Sequence, residues 1–121
     1  MSLVTVHDRL AFAILLYVMI LFIWGLWRII RKLNVDGNFR GALVIAESLI
    51  LGQGVLGIIL VIIGLTPERG GMHFLYGVVG ALGIPLVFTF NKVRNDPSVM
   101  LVSTAVLFFI AVIFVRSMST G

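Results

Sequence analysis

The chain has 121 residues, 60% of them hydrophobic and 12% charged, with a mean hydropathy of +1.18. A soluble domain carries about 25% charged residues, and a chain this short has too little interior to hide so much apolar surface from water; lipid is the expected main solvent. The formal net charge is +4 and there is no cysteine, which excludes disulfides, thiolate metal sites, iron–sulfur clusters and cysteine nucleophiles together.

Four apolar segments account for nearly the whole length, and the expected fold class is all-α: an integral membrane four-helix bundle, up-down with short loops. Residues 1–121 are read as a single domain, with helices over roughly 10–30, 41–65, 72–90 and 98–115. The first run, LAFAILLYVMILFIWGLWRII, is too long for a signal-peptide core and is read as a spanning helix. Trp24 and Trp27 near its end suit an interfacial belt, with Arg28 snorkelling to the headgroups. In the loop that follows, Asn34, Asp36, Gly37 and Asn38 are turn formers, and Gly37 or Asn38 is expected to take a left-handed conformation. The second segment, Gly41 to Leu65, exceeds the roughly 30 Å hydrocarbon core and is expected to tilt. Thr66 to Gly71 reads as a tight connection. The third segment contains Pro85, where a kink is expected. Asp96-Pro97-Ser98 suits the start of the fourth, with proline at the first helical position.

Basic residues set the orientation. Arg28, Arg31, Lys32, Arg40, Lys92 and Arg94 are six on one side, against Arg9, Arg69 and Arg116 on the other. The positive-inside rule puts the six in the cytoplasm and both termini on the non-cytoplasmic side of an inner (plasma) membrane. The basic residues sit in short turns at the membrane surface, so no nucleic-acid partner is expected; the expected partners are membrane lipids and other membrane subunits or further copies of the chain.

Helices in lipid associate through small residues and hydrogen bonds. The third segment offers His73, Gly77, Gly80, Ala81 and Ile84 at helical spacing; the second offers Ala42, Ala46, Gly54, Gly57 and Gly64. These glycines suit plain helix contact, or room for a flat ligand or a partner helix. The fourth segment, rich in large apolar residues, is expected to face lipid or another subunit.

Three sets of polar residues stand out. Glu47 lies roughly 10 Å along the second segment, and an ionisable group at that depth is a functional candidate. As a neutral acid it can donate to Ser103, Thr104 or Thr89, or it can pair with Arg40 or Arg28; a helix clamp and a proton- or cation-coupled role are the two readings. Gln53 and Tyr17 are expected near mid-depth, hydrogen-bonded to each other. His7 and His73 are expected in one outer layer, together with Asp8, Glu68 and Arg116, with His73 turned inward. Glu47, Gln53, Tyr17 and Arg116 form the candidate ligand or proton site. His7 and His73 are the candidate metal or haem ligands, since imidazoles paired across a bundle can hold haem b or a metal ion; plain interfacial hydrogen bonding is the alternative. There is no P-loop, GxSxG, HExxH, CxxCH or EF-hand pattern, and no enzymatic activity is expected.

In length and four-helix layout the chain resembles the small multidrug resistance transporters, which carry their proton- and drug-binding acid in the first helix. Here that helix has no buried acid, and the acid is Glu47 in the second. A haem-binding four-helix unit such as cytochrome b561 holds two haems through four histidines; this chain has two histidines, enough for one haem in that manner. The chain is assigned to neither family. The leading expectation is a non-catalytic accessory or assembly subunit of a larger, energy-transducing membrane complex. The alternatives are a small proton-coupled transporter working as an oligomer through Glu47, and a haem or metal carrier using His7 and His73.

Overall fold

The computed structural model describes residues 3–64, 70–93 and 96–120. They form four α-helices: α1 Leu3–Ile30, α2 Gly37–Ile62, α3 Gly70–Val93 and α4 Pro97–Thr120. All four are long and apolar enough to cross a bilayer, so the chain is a multi-pass membrane protein. Helices α1, α2, α3 and α4 all start before their expected limits and α3 and α4 also end after them, whereas α1 ends at residue 30 as expected and α2 stops three residues short, at Ile62; in lipid the backbone satisfies itself by remaining helical until a cap stops it. The caps are identifiable. Asp36 accepts from the amide of Phe39 at 2.9 Å and starts α2. Asp96 accepts from the amide of Ser98 at 3.0 Å and, with Pro97 in the first helical position, starts α4.

The left-handed residue of the first loop is not Gly37 or Asn38, both helical, but Lys32, at φ 56°. Its amide bonds to the Ile29 carbonyl and that of Leu33 to the Arg28 carbonyl, both at 3.0 Å. This is the Schellman ending of a helix, in which the left-handed position usually holds glycine. At the far end of α2, Gly64 takes φ 92°. Helix α3 continues through Pro85 without interruption.

Going round the bundle, α1 packs on α2, α2 on α3, α3 on α4 and α4 on α1, the last two interfaces being the broadest and α2–α3 the slightest. The buried residues of α1 (Ala11, Ile14, Val18, Leu21, Gly25 and Arg28) alternate steps of three and four, the seam spacing of bundled helices. Helix α4 is the most enclosed element, with 50% of its apolar stretch buried against 28, 22 and 22% for the others; the expected lipid-facing role for this segment is therefore corrected. Small residues on its two neighbours, α1 and α3, explain the packing. Gly25 of α1 sits against Thr104, so closely that an added Cβ would collide with the hydroxyl oxygen. An added Cβ at Gly83 of α3 would lie 3.0 Å from Val106 Cγ1 and 3.1 Å from Ile110 Cδ1. Gly83 is thus the tightest contact of α3, whereas Gly77, expected on that face, is exposed.

Two ends result. At the basic end, Arg28 is buried at 7% exposure rather than snorkelling. It donates to the Asn34 carbonyl and pairs with Asp36 at 3.3 Å. Its guanidinium lies 5.9 Å from the centre of the Trp24 ring, which meets Phe39 edge-on at 5.0 Å. Trp27 is exposed, as an interfacial residue should be. The opposite end carries the histidines.

Candidate functional site at the histidine end

His7 stands in the second turn of α1 and His73 in the first turn of α3, on diagonally opposite helices. Their rings face each other across the bundle with centroids 6.1 Å apart and planes inclined at 56°. Helix α4 holds His73 in place: Nδ1 lies 3.1 Å from the Ser117 carbonyl and 3.3 Å from the Ser117 hydroxyl. With the proton on Nδ1 donated to that carbonyl, Nε2 keeps its lone pair. Helix α2 supplies the fourth wall. Gln53, 8% exposed, donates from Nε2 to the His7 backbone carbonyl at 2.7 Å. Gly57 lets α2 approach the imidazole, since a Cβ there would lie 3.5 Å from His7 Cε1.

Two atoms in this cluster are buried without a hydrogen-bond partner among the described residues: His7 Nδ1 and Gln53 Oε1. Leaving a buried polar atom unsatisfied costs about 1–3 kcal/mol; Arg28 Nε and Glu47 Oε1 are in the same state elsewhere in the bundle. Among the described residues no three His, Asp or Glu side chains come together as metal ligands. A bare ion needs four to six donors. Haem brings four of its own and takes two axial ligands. Two imidazoles on opposite sides of one metal ion have ring centres about 6 Å apart, from metal–nitrogen bonds near 2 Å and the ring radius. The pair therefore fits the axial ligands of a haem better than the ligand set of a naked ion.

Of the glycines read as room for a flat ligand, Gly54 and Gly77 lie on the neighbouring seam, where both are exposed. Arg40, Val44, Glu47, Leu51 and Gly54 follow each other by steps of four and three and so share one face of α2. Arg40 and Val44 line a cavity with Phe88, Asn91 and Lys92 of α3, so that face turns toward α3. Gly77 lies on the matching face of α3, eleven residues from Phe88. A Cβ added at Gly54 or at Gly77 meets nothing within 4 Å.

The other candidates fall apart from this cluster. Tyr17 does not bond Gln53; its hydroxyl donates to the Ala42 carbonyl at 2.9 Å. Gln53 lies eleven residues beyond Ala42, about 16 Å along the helix. The expected register failed because the Schellman turn and the early Asp36 cap let α1 overhang the start of α2. Glu47 is half-buried, with Oε1 buried and lacking a hydrogen-bond partner among the described residues. The expected partners are engaged on their own helices: Ser103 donates to Val99, Thr104 to Met100 and Thr89 to Pro85. Helices α2 and α4 make no close backbone approach, and Arg28 is committed to Asp36 and Asn34. Arg116 is exposed, next to Ser117 at the histidine end; Asp8 occupies the same end, and Glu68 lies outside the described residues. Ser117, which fixes His73, was not among the residues singled out in the sequence. Its one signal was its place at the end of the helix that packs on α3.

No protein-family model, curated protein or solved structure matches the chain.

Proposed function

We propose that this is a small membrane haem protein, an accessory subunit of a larger membrane complex, in which His7 and His73 would hold one b-type haem. The observation that carries the reading is the opposed pair of rings 6.1 Å apart, with His7 Nδ1 buried and unpartnered. The Ser117 carbonyl is the outer-shell acceptor that a ligating imidazole needs to fix its tautomer and raise its basicity. Gln53 ties α2 to the α1 turn that carries His7. Such a haem supplies one-electron chemistry, at a potential set by axial ligands, burial and hydrogen bonds. A single haem close to one membrane surface does not carry electrons across the bilayer by itself, and this favours work alongside a partner. By the positive-inside rule the histidine end and both termini lie on the non-cytoplasmic side of the plasma membrane.

Haemin titration of the purified protein in detergent tests the reading. A saturable Soret band at one haem per chain is expected, abolished in His73→Ala and in His7→Ala and retained in Arg31→Gln, which lies just past the opposite end of α1. A spectrum no different from haemin in detergent alone, or equal binding by both alanine variants, overturns it.

Glu47 supports a second reading, proton-coupled transport by an oligomer, because its Oε1 is unpartnered on the open α2–α3 face. Proton-driven uptake into vesicles abolished by Glu47→Gln with the fold intact is the expected result. Uptake that is absent in the parent protein, or unchanged in the variant, removes it.

A further inference from the structure

We propose that the cavity at the basic end, between α2 and α3, binds one anionic diacyl phospholipid, independently of the histidine site. The cavity measures about 370 Å³ and is lined by Arg40, Val44, Phe88, Asn91 and Lys92. Arg40 stands in the first turn of α2 and Lys92 in the last turn of α3, at the level where headgroups lie. Two cations and an amide meet there over an apolar floor of Val44 and Phe88. Guanidinium recognises phosphate through paired donors and ammonium as a point charge; basic pockets between membrane helices suit anionic headgroups. The carboxylate on this face, Glu47, sits seven residues beyond Arg40, about 10 Å deeper, away from the phosphate level.

A soluble phosphate would use the cations alone. The lipid is chosen because the cations stand over apolar side chains. Val44 is 48% exposed, Phe88 is partly exposed, both line the cavity, and α2–α3 is the slightest of the interfaces. A headgroup held at Arg40 and Lys92 places its acyl chains against Val44 and Phe88.

The test is thermal unfolding of the purified protein in a neutral detergent. Phosphatidylglycerol, phosphatidylcholine of the same chains, and inorganic phosphate are added separately. Phosphatidylglycerol is expected to raise Tm by several degrees more than phosphatidylcholine. That difference should shrink in Lys92→Gln, an exposed last-turn position, vanish in Arg40→Gln/Lys92→Gln, and persist in Arg31→Gln, which alters a basic residue outside the cavity. Equal effects of the two lipids, an undiminished difference in Lys92→Gln, or a full shift with inorganic phosphate alone overturns the proposal.

Discussion

Single atoms decide more here than hydrophobic area does, because lipid is as apolar as the side chains it replaces. Gly25 shows this. Its hydrogen is all that fits beside Thr104, a β-branched residue with one face against α1 and its hydroxyl tied to Met100. Gly25→Ala is expected to destabilise the bundle by about 1–3 kcal/mol, and Thr104→Ala should restore most of that loss in the double variant. Thermal melts of the four proteins in detergent give the coupling; additive effects would mean that the two positions do not meet. Glu47 makes the opposite prediction. Its buried Oε1 has no hydrogen-bond partner among the described residues, so Glu47→Gln exchanges acid for amide without breaking a bond at that atom. Stability is expected to hold or to rise by about 1 kcal/mol; a marked fall in Tm would show that the carboxylate has a companion.

Helices and their caps explain which parts were legible in the sequence. Asp96-Pro97 announced the start of α4 because its chemistry is local: a side-chain acceptor for a free amide, then a residue with fixed φ. Apolar runs of spanning length announced the helices themselves. The register of α1 against α2 was not legible, because it depends on how far the loop doubles back, and Lys32 gave no glycine signal at the turning point. Counting inward from equal helix ends therefore paired Tyr17 with Gln53, where the protein pairs Tyr17 with Ala42 and Gln53 with His7. Two predictions belong at this scale. Lys32→Gly relieves the left-handed strain and should stabilise by about 1 kcal/mol. Asp36→Ala removes both the α2 cap and the partner of buried Arg28, and should cost at least the ~1 kcal/mol of a lost cap, with more from the stranded guanidinium. Both are read from melting curves, and a stabilising Asp36→Ala would contradict the network.

For the whole molecule, the four spans followed from composition, while the arrangement of their faces did not. Helix α4 is apolar on every face but the one carrying Ser103 and Thr104, both buried, and that small polar pair is the sequence's one pointer to its buried side; the close approaches of Gly25 and Gly83 settle it. The histidines were legible as a pair because two polar rings in so apolar a chain invite the question of where they meet, and up-down topology sends His7 and His73 to one end. Gly57, which admits the His7 ring, stood out only as one of several small residues on α2, and Ser117, which holds His73, was not legible, because a serine in a terminal turn carries no signal of its own. The bundle thus divides into a cation-rich end locked by Arg28 and a histidine end where His7 Nδ1 and Gln53 Oε1 have no hydrogen-bond partner among the described residues.

The visible absorption spectrum of the protein purified from haem-replete cells, ferric and then dithionite-reduced, bears most directly on that division. The account predicts a six-coordinate, low-spin haem with sharp bands on reduction, lost in both His7→Ala and His73→Ala. A colourless protein, or pigment that survives both substitutions, would contradict it.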